Sequence, residues 1–306
     1  HEFVKACLAF AHITIPSVEV VFKRLHLYVL SGQVAVMNNL LGQADVLFKT
    51  CIENIADVPP LIGMLHKSEQ LPKFTTPCTF TINNLYLYHH QQLIVLENNT
   101  AIVTERQLVE LVNTLASCFI SIPSHPDLGP FYLFKGLFKV LQDYKWQKGS
   151  DAKSHVFICM LNSLCALYQD ELPYRYVGVN PNDSLFAGDA SYLDDILAIG
   201  NSILDEILKH MTTLQADDDV GMLRKQAMCS LELFNHLVTQ TELNPQSMAL
   251  AHKLYGLAQK SADKNAVMEQ FSKNTLSALK HWSTKSTLSA QGNPFHLLLH
   301  KISGQG

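Results

Sequence analysis

Apolar residues recur at three- and four-residue spacing along most of the chain, the period of an amphipathic α-helix, and about ten such segments can be marked out. The most regular stripe is Val34, Met37, Leu41, Ala44, Phe48, Cys51 and Ile55, with Asp45, Lys49 and Glu53 following one another at i+4 on another face. The pattern predicts a single antiparallel helix with one buried and one solvated face, bounded by Gly32 and by Pro59-Pro60. A coiled coil would share the spacing, but about three heptads between such breakers favour packing within a helical array.

Residues 3–50 hold two helix patterns that meet at Ile13-Thr14-Ile15-Pro16-Ser17. The corner recurs: residues 115–124 read LASCFISIPS, and Phe138-Lys139-Val140-Leu141 in the next helix echoes Phe22-Lys23-Arg24-Leu25. Helix, corner and helix, repeated within one chain, imply stacked helix pairs. Thr104-x-x-Gln107 forms a capping box ahead of Leu108, Leu111 and Leu115, and Asn244-Pro245 supplies an N-cap and an N1 proline ahead of Leu250, Leu254 and Leu257. Further helices are expected over residues 129–146, 151–169, 190–214, 219–239, 265–282 and 295–302; Asp217, Asp218 and Asp219 place negative charge at the start of one of them.

Strand grammar is confined to residues 72–99, where Thr79-Phe80-Thr81-Ile82 and Leu85-Tyr86-Leu87-Tyr88 alternate around Asn83-Asn84. This stretch is expected to be a poorly ordered insertion or a hairpin standing out of the array. The predicted fold is all-α: one α-solenoid segment of antiparallel helix pairs over residues 1–306, with an irregular insertion around 67–99.

Composition removes several functions. With 23 Lys+Arg against 27 Asp+Glu, a net charge of −4 and no basic run, a phosphate backbone is not the expected partner. The seven cysteines are dispersed and never spaced as Cys-x-x-Cys, which is reduced, cytosolic usage. No apolar run approaches the ~20 residues of a spanning helix. Beginning at His1 without a methionine, the chain reads as the carboxy-terminal part of something longer.

Candidate chemistry is thin. His296 and His300 form an i,i+4 pair, but three leucines separate them, without the glutamate of a zinc-protease helix or an obvious third ligand. Cys159 and Cys165 fall on different helix faces and read as core. Asp194-Asp195 with Asp205-Glu206 resembles the magnesium-diphosphate clusters of all-helical prenyl-chain enzymes, yet Ala198 stands where a third aspartate would be, and solvated helix charge explains the run better. No nucleophile elbow, phosphate loop or dinucleotide fingerprint is present, and neither a convincing general base nor a metal shell can be picked out. The surface is left as the functional object. The irregular stretch 172–188 (LPYRYVGVNPNDSLFAG) carries side chains that order a loop or dock a partner.

Several blocks, in order, carry a resemblance: Phe3-Val4-Lys5-Ala6-Cys7, Ile13-Thr14-Ile15-Pro16-Ser17, Arg24-Leu25-x-Leu27-Tyr28, Ser31-Gly32-Gln33-Val34-Ala35, Gln43-Ala44-Asp45, Gln142-Asp143-Tyr144-x-Trp146 and Asn182-Asp183-Ser184-Leu185-x-x-Gly188-Asp189. They resemble the late region of the vacuolar-protein-sorting 35-like subunits, scaffolds of the retriever complex, and less closely the retromer scaffold, a HEAT-like α-solenoid. The stretch 67–99 has no counterpart in that pattern, and similarity weakens after Asp263.

The resemblance implies a non-enzymatic scaffold, cytoplasmic and peripheral on endosomes, that helps recycle integrins and other cargo to the cell surface. Its expected direct partner is a small subunit with a metallophosphoesterase fold (vacuolar protein sorting 29). An arrestin-like subunit would bind through the amino-terminal part of the family, coiled-coil and COMM-domain proteins of the commander assembly would add contacts, and a sorting nexin adaptor would reach cargo. No cofactor is implied. A solenoid cradling a compact partner is expected to bury roughly 1,200–2,000 Å² around aromatic and arginine anchors. Tyr144, Trp146, Tyr174, Arg175, Tyr176, Asn182, Asp183, Leu185 and Asp189 fit that description. They would equally serve as caps and gap-fillers between helix pairs. A helical-repeat adaptor with other partners and a diphosphate-handling helical enzyme stay open as alternatives.

Overall fold

The computed structural model describes residues 2–58, 96–97, 100–101, 105–120, 122, 125, 127–168, 191–215, 220–261, 266–285 and 293–304. Within these lie eleven α-helices: α1 (Glu2–Thr14), α2 (Val21–Met37), α3 (Leu41–Ile55), α4 (Glu105–Phe119), α5 (Tyr132–Asp143), α6 (Ala152–Tyr168), α7 (Ser191–Gln215), α8 (Val220–Gln240), α9 (Pro245–Ser261), α10 (Ala266–Lys285) and α11 (Pro294–Ser303). Among the described residues the one strand pair is Leu96–Glu97 antiparallel with Thr100–Ala101, beside an isolated bridge between His125 and Gly129. The hairpin expected around Asn83-Asn84 lies outside the described residues.

The helices stack as pairs. α2 packs on α3, α6 on α7, α8 on α9 and α10 on α11. Successive pairs join through their first members, with α2 against α4, α4 against α6, α6 against α8 and α8 against α10. The second members meet where α3 touches α5 and α9 touches α11, and Lys135 on α5 reaches Asp195 on α7 at 3.7 Å. Two layers of helices, each contacting mainly its neighbours, form the predicted α-solenoid.

The predicted helix over residues 34–55 is instead two helices. Asn39 takes a left-handed conformation (φ 55°), the Leu40 N–H donates to the Ala35 carbonyl at 2.8 Å and the Asn39 N–H to Val36 at 2.9 Å. These are the two bonds of a Schellman cap, with asparagine at the position glycine usually takes. The apolar stripe hides the reversal because Leu41 resumes the spacing after Met37. Gly32 is not a boundary. It is buried inside α2, where a β-carbon would lie 2.3 Å from Phe48 Cε1, so its bareness lets α3 close on α2.

The charged stripe of α3 is also less solvated than its i+4 spacing suggests. Lys49 does pair with Asp45 at 2.9 Å, but Asp45 is only 17% exposed and accepts a hydrogen bond from the Tyr132 hydroxyl of α5. Lys49 Nζ lies 4.9 Å from the centroid of the same ring. The polar face of one helix is thus the docking face of the next pair.

Other boundaries differ from the reading by a few residues. The first Ile-Pro-Ser corner ends α1 and winds into a 3-10 turn over Ile15–Ser17, with the Ser17 hydroxyl donating to the Thr14 carbonyl at 2.7 Å. The second begins where α4 stops at Phe119; Ser121, Pro123 and Ser124, the Thr104 cap and the aspartates 217–219 lie outside the described residues. Asn244 caps α9 as expected, accepting from the Gln246 and Ser247 N–H groups at 2.9 Å each. Ring contacts cross the interfaces: Phe48 to Phe119 at 5.7 Å, Phe119 to Phe134 at 5.4 Å, Phe138 to Phe157 at 5.4 Å and Phe234 to Tyr255 at 5.5 Å.

Candidate functional site

Tyr144 is the residue at which the chain leaves α5, extended at ψ 137°. Its ring meets Trp146 edge-on, centroids 4.9 Å apart, and the Trp146 indole N–H donates to the Leu141 carbonyl at 2.9 Å, satisfying an acceptor that the helix end leaves open. Glu105, at the start of α4, accepts from the Gln147 N–H at 3.0 Å and from the Ser150 hydroxyl. Burial, reinforced by the Glu105 charge, pushes the Tyr144 phenol up to about 12. This aromatic corner fastens the end of α5 to α4.

Tyr174, Arg175, Tyr176, Asn182, Asp183, Leu185 and Asp189 lie outside the described residues. Their segment leaves α6 after Tyr168 and re-enters at Ser191. Tyr144 and Trp146 precede the other end of α6, whose 17 residues span ~25 Å, so the two groups are not anchored side by side. Around the segment's two ends, Tyr168 and Leu197 are each 50% exposed and Asp194 is exposed, giving that end of the α6–α7 pair an accessible apolar and acidic character.

The acidic residues of α7 do not converge. Asp194 and Asp205 are exposed, Asp195 faces Lys135, and Glu206 is held by Lys153 at 3.2 Å and Lys209 at 3.1 Å. Eleven residues along one helix separate the two pairs by ~16 Å, too far to share an ion. His296 and His300 are exposed on α11. Cys159 and Cys165 are half-buried on α6, and burial pushes their thiols up to about 12 and about 11.

What the sequence reading missed is a polar seam between α6 and its neighbours. His155, on the first turn of α6, presents Nδ1 to Glu232 at 2.5 Å and Nε2 to Asp151 at 3.4 Å, with the buried Cys229 thiol 4.0 Å from Nε2. Burial disfavours the Asp151 carboxylate, but hydrogen bonding and charge from His155, with Lys225, bring its pKa below the ordinary value. Burial raises the Cys229 thiol.

Two further histidines extend the seam. His210 of α7 meets the Ser154 hydroxyl at 2.7 Å, and burial, aided by Lys153, lowers it to about 4. His236 of α8 sits 2.6 Å from Asn162 Oδ1 and 3.7 Å from Cys165, also lowered to about 4 by burial. The partners are more than fifty residues apart in sequence. Only i,i+4 for Asp151 and His155, and i,i+3 for Cys229 and Glu232, hinted that each pair shares a helix face.

A small crevice is lined by Phe119, Ile122, Phe131, Tyr132, Leu133 and Phe134. Its one titratable side chain, Tyr132, is engaged by Asp45, and burial together with that carboxylate raises the phenol. No helix among the described residues is long and apolar enough to cross a membrane.

Comparison with known proteins bears on this helical stack directly. The family model of the VPS35L C-terminal domain matches residues 1–86 and 86–299, its two segments meeting inside the stretch set apart as an insertion. A Dictyostelium discoideum protein named VPS35 endosomal protein sorting factor-like is 32% identical over 276 residues, 90% of this chain and 24% of its own length. The Danio rerio and Homo sapiens proteins of corresponding name are 30% and 32% identical over 94% and 84% of this chain. The chain spans about a quarter of the length of the curated relatives it matches. With the family model covering nearly every residue from the first helix to the last, the chain belongs to the VPS35L C-terminal domain family.

Proposed function

We propose that this chain is the carboxy-terminal part of a non-enzymatic scaffold for endosomal protein sorting, acting within a retriever-type assembly. It works from the cytoplasm, peripheral on endosomes, and supports return of cargo such as integrins to the cell surface. The observation that carries this reading is a two-layer stack of helix pairs matched along its length by the VPS35L C-terminal domain. Such stacks expose long faces suited to holding other proteins. The relatives' name, endosomal protein sorting factor-like, supports the cellular setting.

The direct partner of the proposal is a small subunit with a metallophosphoesterase fold, held at the end of the α6–α7 pair. There the segment carrying Tyr174, Arg175, Tyr176, Asn182, Asp183, Leu185 and Asp189 is flanked by exposed Tyr168 and Leu197. An arrestin-like subunit, coiled-coil and COMM-domain proteins of the commander assembly and a sorting nexin adaptor would join through the rest of the complex. The test is capture of the purified small subunit by the 306-residue chain. Asp183→Ala with Arg175→Ala is expected to weaken capture at least tenfold, as loss of interface anchors does, with helicity by circular dichroism unchanged. Undiminished capture by the double variant rejects the interface; no capture by the unaltered chain favours a helical-repeat adaptor with other partners. Trp146→Ala reports separately on the aromatic corner, which stands at the opposite end of α6 from the segment's anchor points.

A further inference from the structure

We propose that Asp151, His155 and Cys229 form a binding site for a divalent transition metal of the zinc class, locking α6 onto α8. Cys229 is fully buried, Asp151 and His155 are partly buried, and one donor atom from each lies within 4.8 Å of the other two. Tetrahedral zinc, with bonds of about 2.0–2.3 Å to nitrogen, oxygen and sulfur, sets neighbouring donors roughly 3.3–3.6 Å apart. His155 Nε2 stands 3.4 Å from Asp151 Oδ2 and 4.0 Å from Cys229 Sγ, so a small inward turn of the thiol completes the face.

Two further observations favour a metal over an ordinary polar contact. Glu232 is 2.5 Å from Nδ1, the nitrogen turned away from the other donors. A carboxylate there fixes the imidazole orientation and strengthens the opposite nitrogen as a ligand, which is the common supporting arrangement at zinc sites. The donor set of one imidazole, one sulfur and one carboxylate also selects among cations. Magnesium and calcium take oxygen shells, whereas a thiolate with an imidazole suits zinc or cobalt.

The Nε2–H that His155 turns to Asp151 leaves to solvent as that nitrogen binds M²⁺, and Cys229–SH likewise loses its H⁺ as the Cys229–S⁻ bond to the metal forms. The Asp151 side chain is 34% exposed, which gives these protons an exit and leaves room for water at a fourth position. Asp151 and His155 come from the start of α6 and Cys229 and Glu232 from the middle of α8, so the ion would bridge the third helix pair to the fourth. Its consequence is mechanical: metal would stiffen the array at the start of α6, the end of that helix remote from the segment proposed to hold a partner.

The experiment is cobalt titration of the chelator-treated 306-residue chain, followed by absorption. One equivalent of Co²⁺ is expected to give a near-ultraviolet thiolate-to-cobalt charge-transfer band and tetrahedral visible bands, both erased by Zn²⁺. Cys229→Ser should abolish the charge-transfer band while Cys165→Ser keeps it. Glu232→Gln should keep the band but weaken binding about 10–100-fold. X-ray absorption of the zinc-loaded unaltered chain avoids any folding defect of the variants and should show one sulfur among lighter ligands. A folded chain with no thiolate band, a band surviving Cys229→Ser, or a zinc shell without sulfur overturns the proposal.

Discussion

The joint between the first two helix pairs and the joint between the third and fourth use the same architecture with opposite chemistry. The core of the first closes on rings and a bare backbone, with the Asp45–Tyr132 contact only at its flank: Gly32 admits Phe48, which meets Phe119, which meets Phe134. The other aligns His155 with Asp151, Cys229 and Glu232, and His236 with Asn162 and Cys165. Packed rings hold regardless of solution conditions, because burying apolar area depends little on proton or metal concentration. A polar seam holds only while every buried group keeps its partner and its protonation state. The array therefore has one joint set by shape and one set by chemistry.

The largest effect expected is at the apolar joint. Phe48→Ala removes a fully buried ring that packs on Gly32 within its own pair and on Phe119 in the next, and should cost about 3–5 kcal/mol. Denaturant unfolding measures the loss, and amide hydrogen exchange should place it in α2 to α5. Because each repeat contacts mainly its neighbours, α8 to α11 should keep their protection. Equal loosening along the whole chain would break the contrast between the joints.

The two joints were also unequally legible in the sequence. Apolar joints announce themselves by spacing, so Phe48, Leu111 and Leu115 read as core and prove buried. The seam left no such signal, because His155 and Glu232, or Asn162 and His236, each look ordinary on a helix face until the chain folds back 77 and 74 residues later. Two local misreadings share a cause. Asn38-Asn39 falls in the polar phase of the stripe and so conceals a reversal, while Gly32 looks like a breaker although its role is close approach. Spacing reports which face is buried, not whether the helix has turned.

Acid should find the seam. His236 is neutral in the folded chain: its pairing with Asn162 Oδ1 uses Nδ1–H as donor, and burial lowers its pKa from 6.5 to about 4. The unfolded chain takes up a proton there below pH 6.5 and the folded chain does not until about pH 4, so stability falls as pH drops through that window. If fully expressed the loss is about 3 kcal/mol, and His210, lowered in the same direction, adds to the slope. Urea unfolding at a series of pH values measures it. His236→Gln should flatten the slope, and a slope unchanged by that substitution would sink the assignment.

A methyl group tests the other side of the comparison. Gly32→Ala places a β-carbon against the Phe48 ring at a distance no real contact shows, so the ring must shift or α3 must move out. Overpacking of this kind costs about 1–3 kcal/mol and is offset by the roughly 0.8–1 kcal/mol that alanine gains over glycine inside a helix, so a net loss of up to about 2 kcal/mol is expected. The cost should be independent of pH from 4 to 8. A pH-dependent cost would mean that the apolar joint is coupled to the seam and that the two do not act separately.

The smallest effects carry the same contrast down to single helix starts. Asn244-Pro245 and Asn293-Pro294 are the same pair of residues doing the same job, but Asn244 is exposed whereas Asn293 is 1% exposed. Asn293 Oδ1 accepts from the Phe295 and His296 N–H groups at 3.0 and 3.4 Å, and its Nδ2 donates to the Ser283 carbonyl of α10 at 2.8 Å. Removing it leaves part-buried groups on both helices without that partner; removing Asn244 leaves exposed amides that water can reach. Asn293→Ala should therefore cost about 2 kcal/mol and Asn244→Ala about 1 kcal/mol or less, read from denaturant midpoints at pH 7. Equal costs would mean that the polar bridge from α11 to α10 adds nothing beyond the cap, and that burial does not raise the stakes of a hydrogen bond at that end of the array.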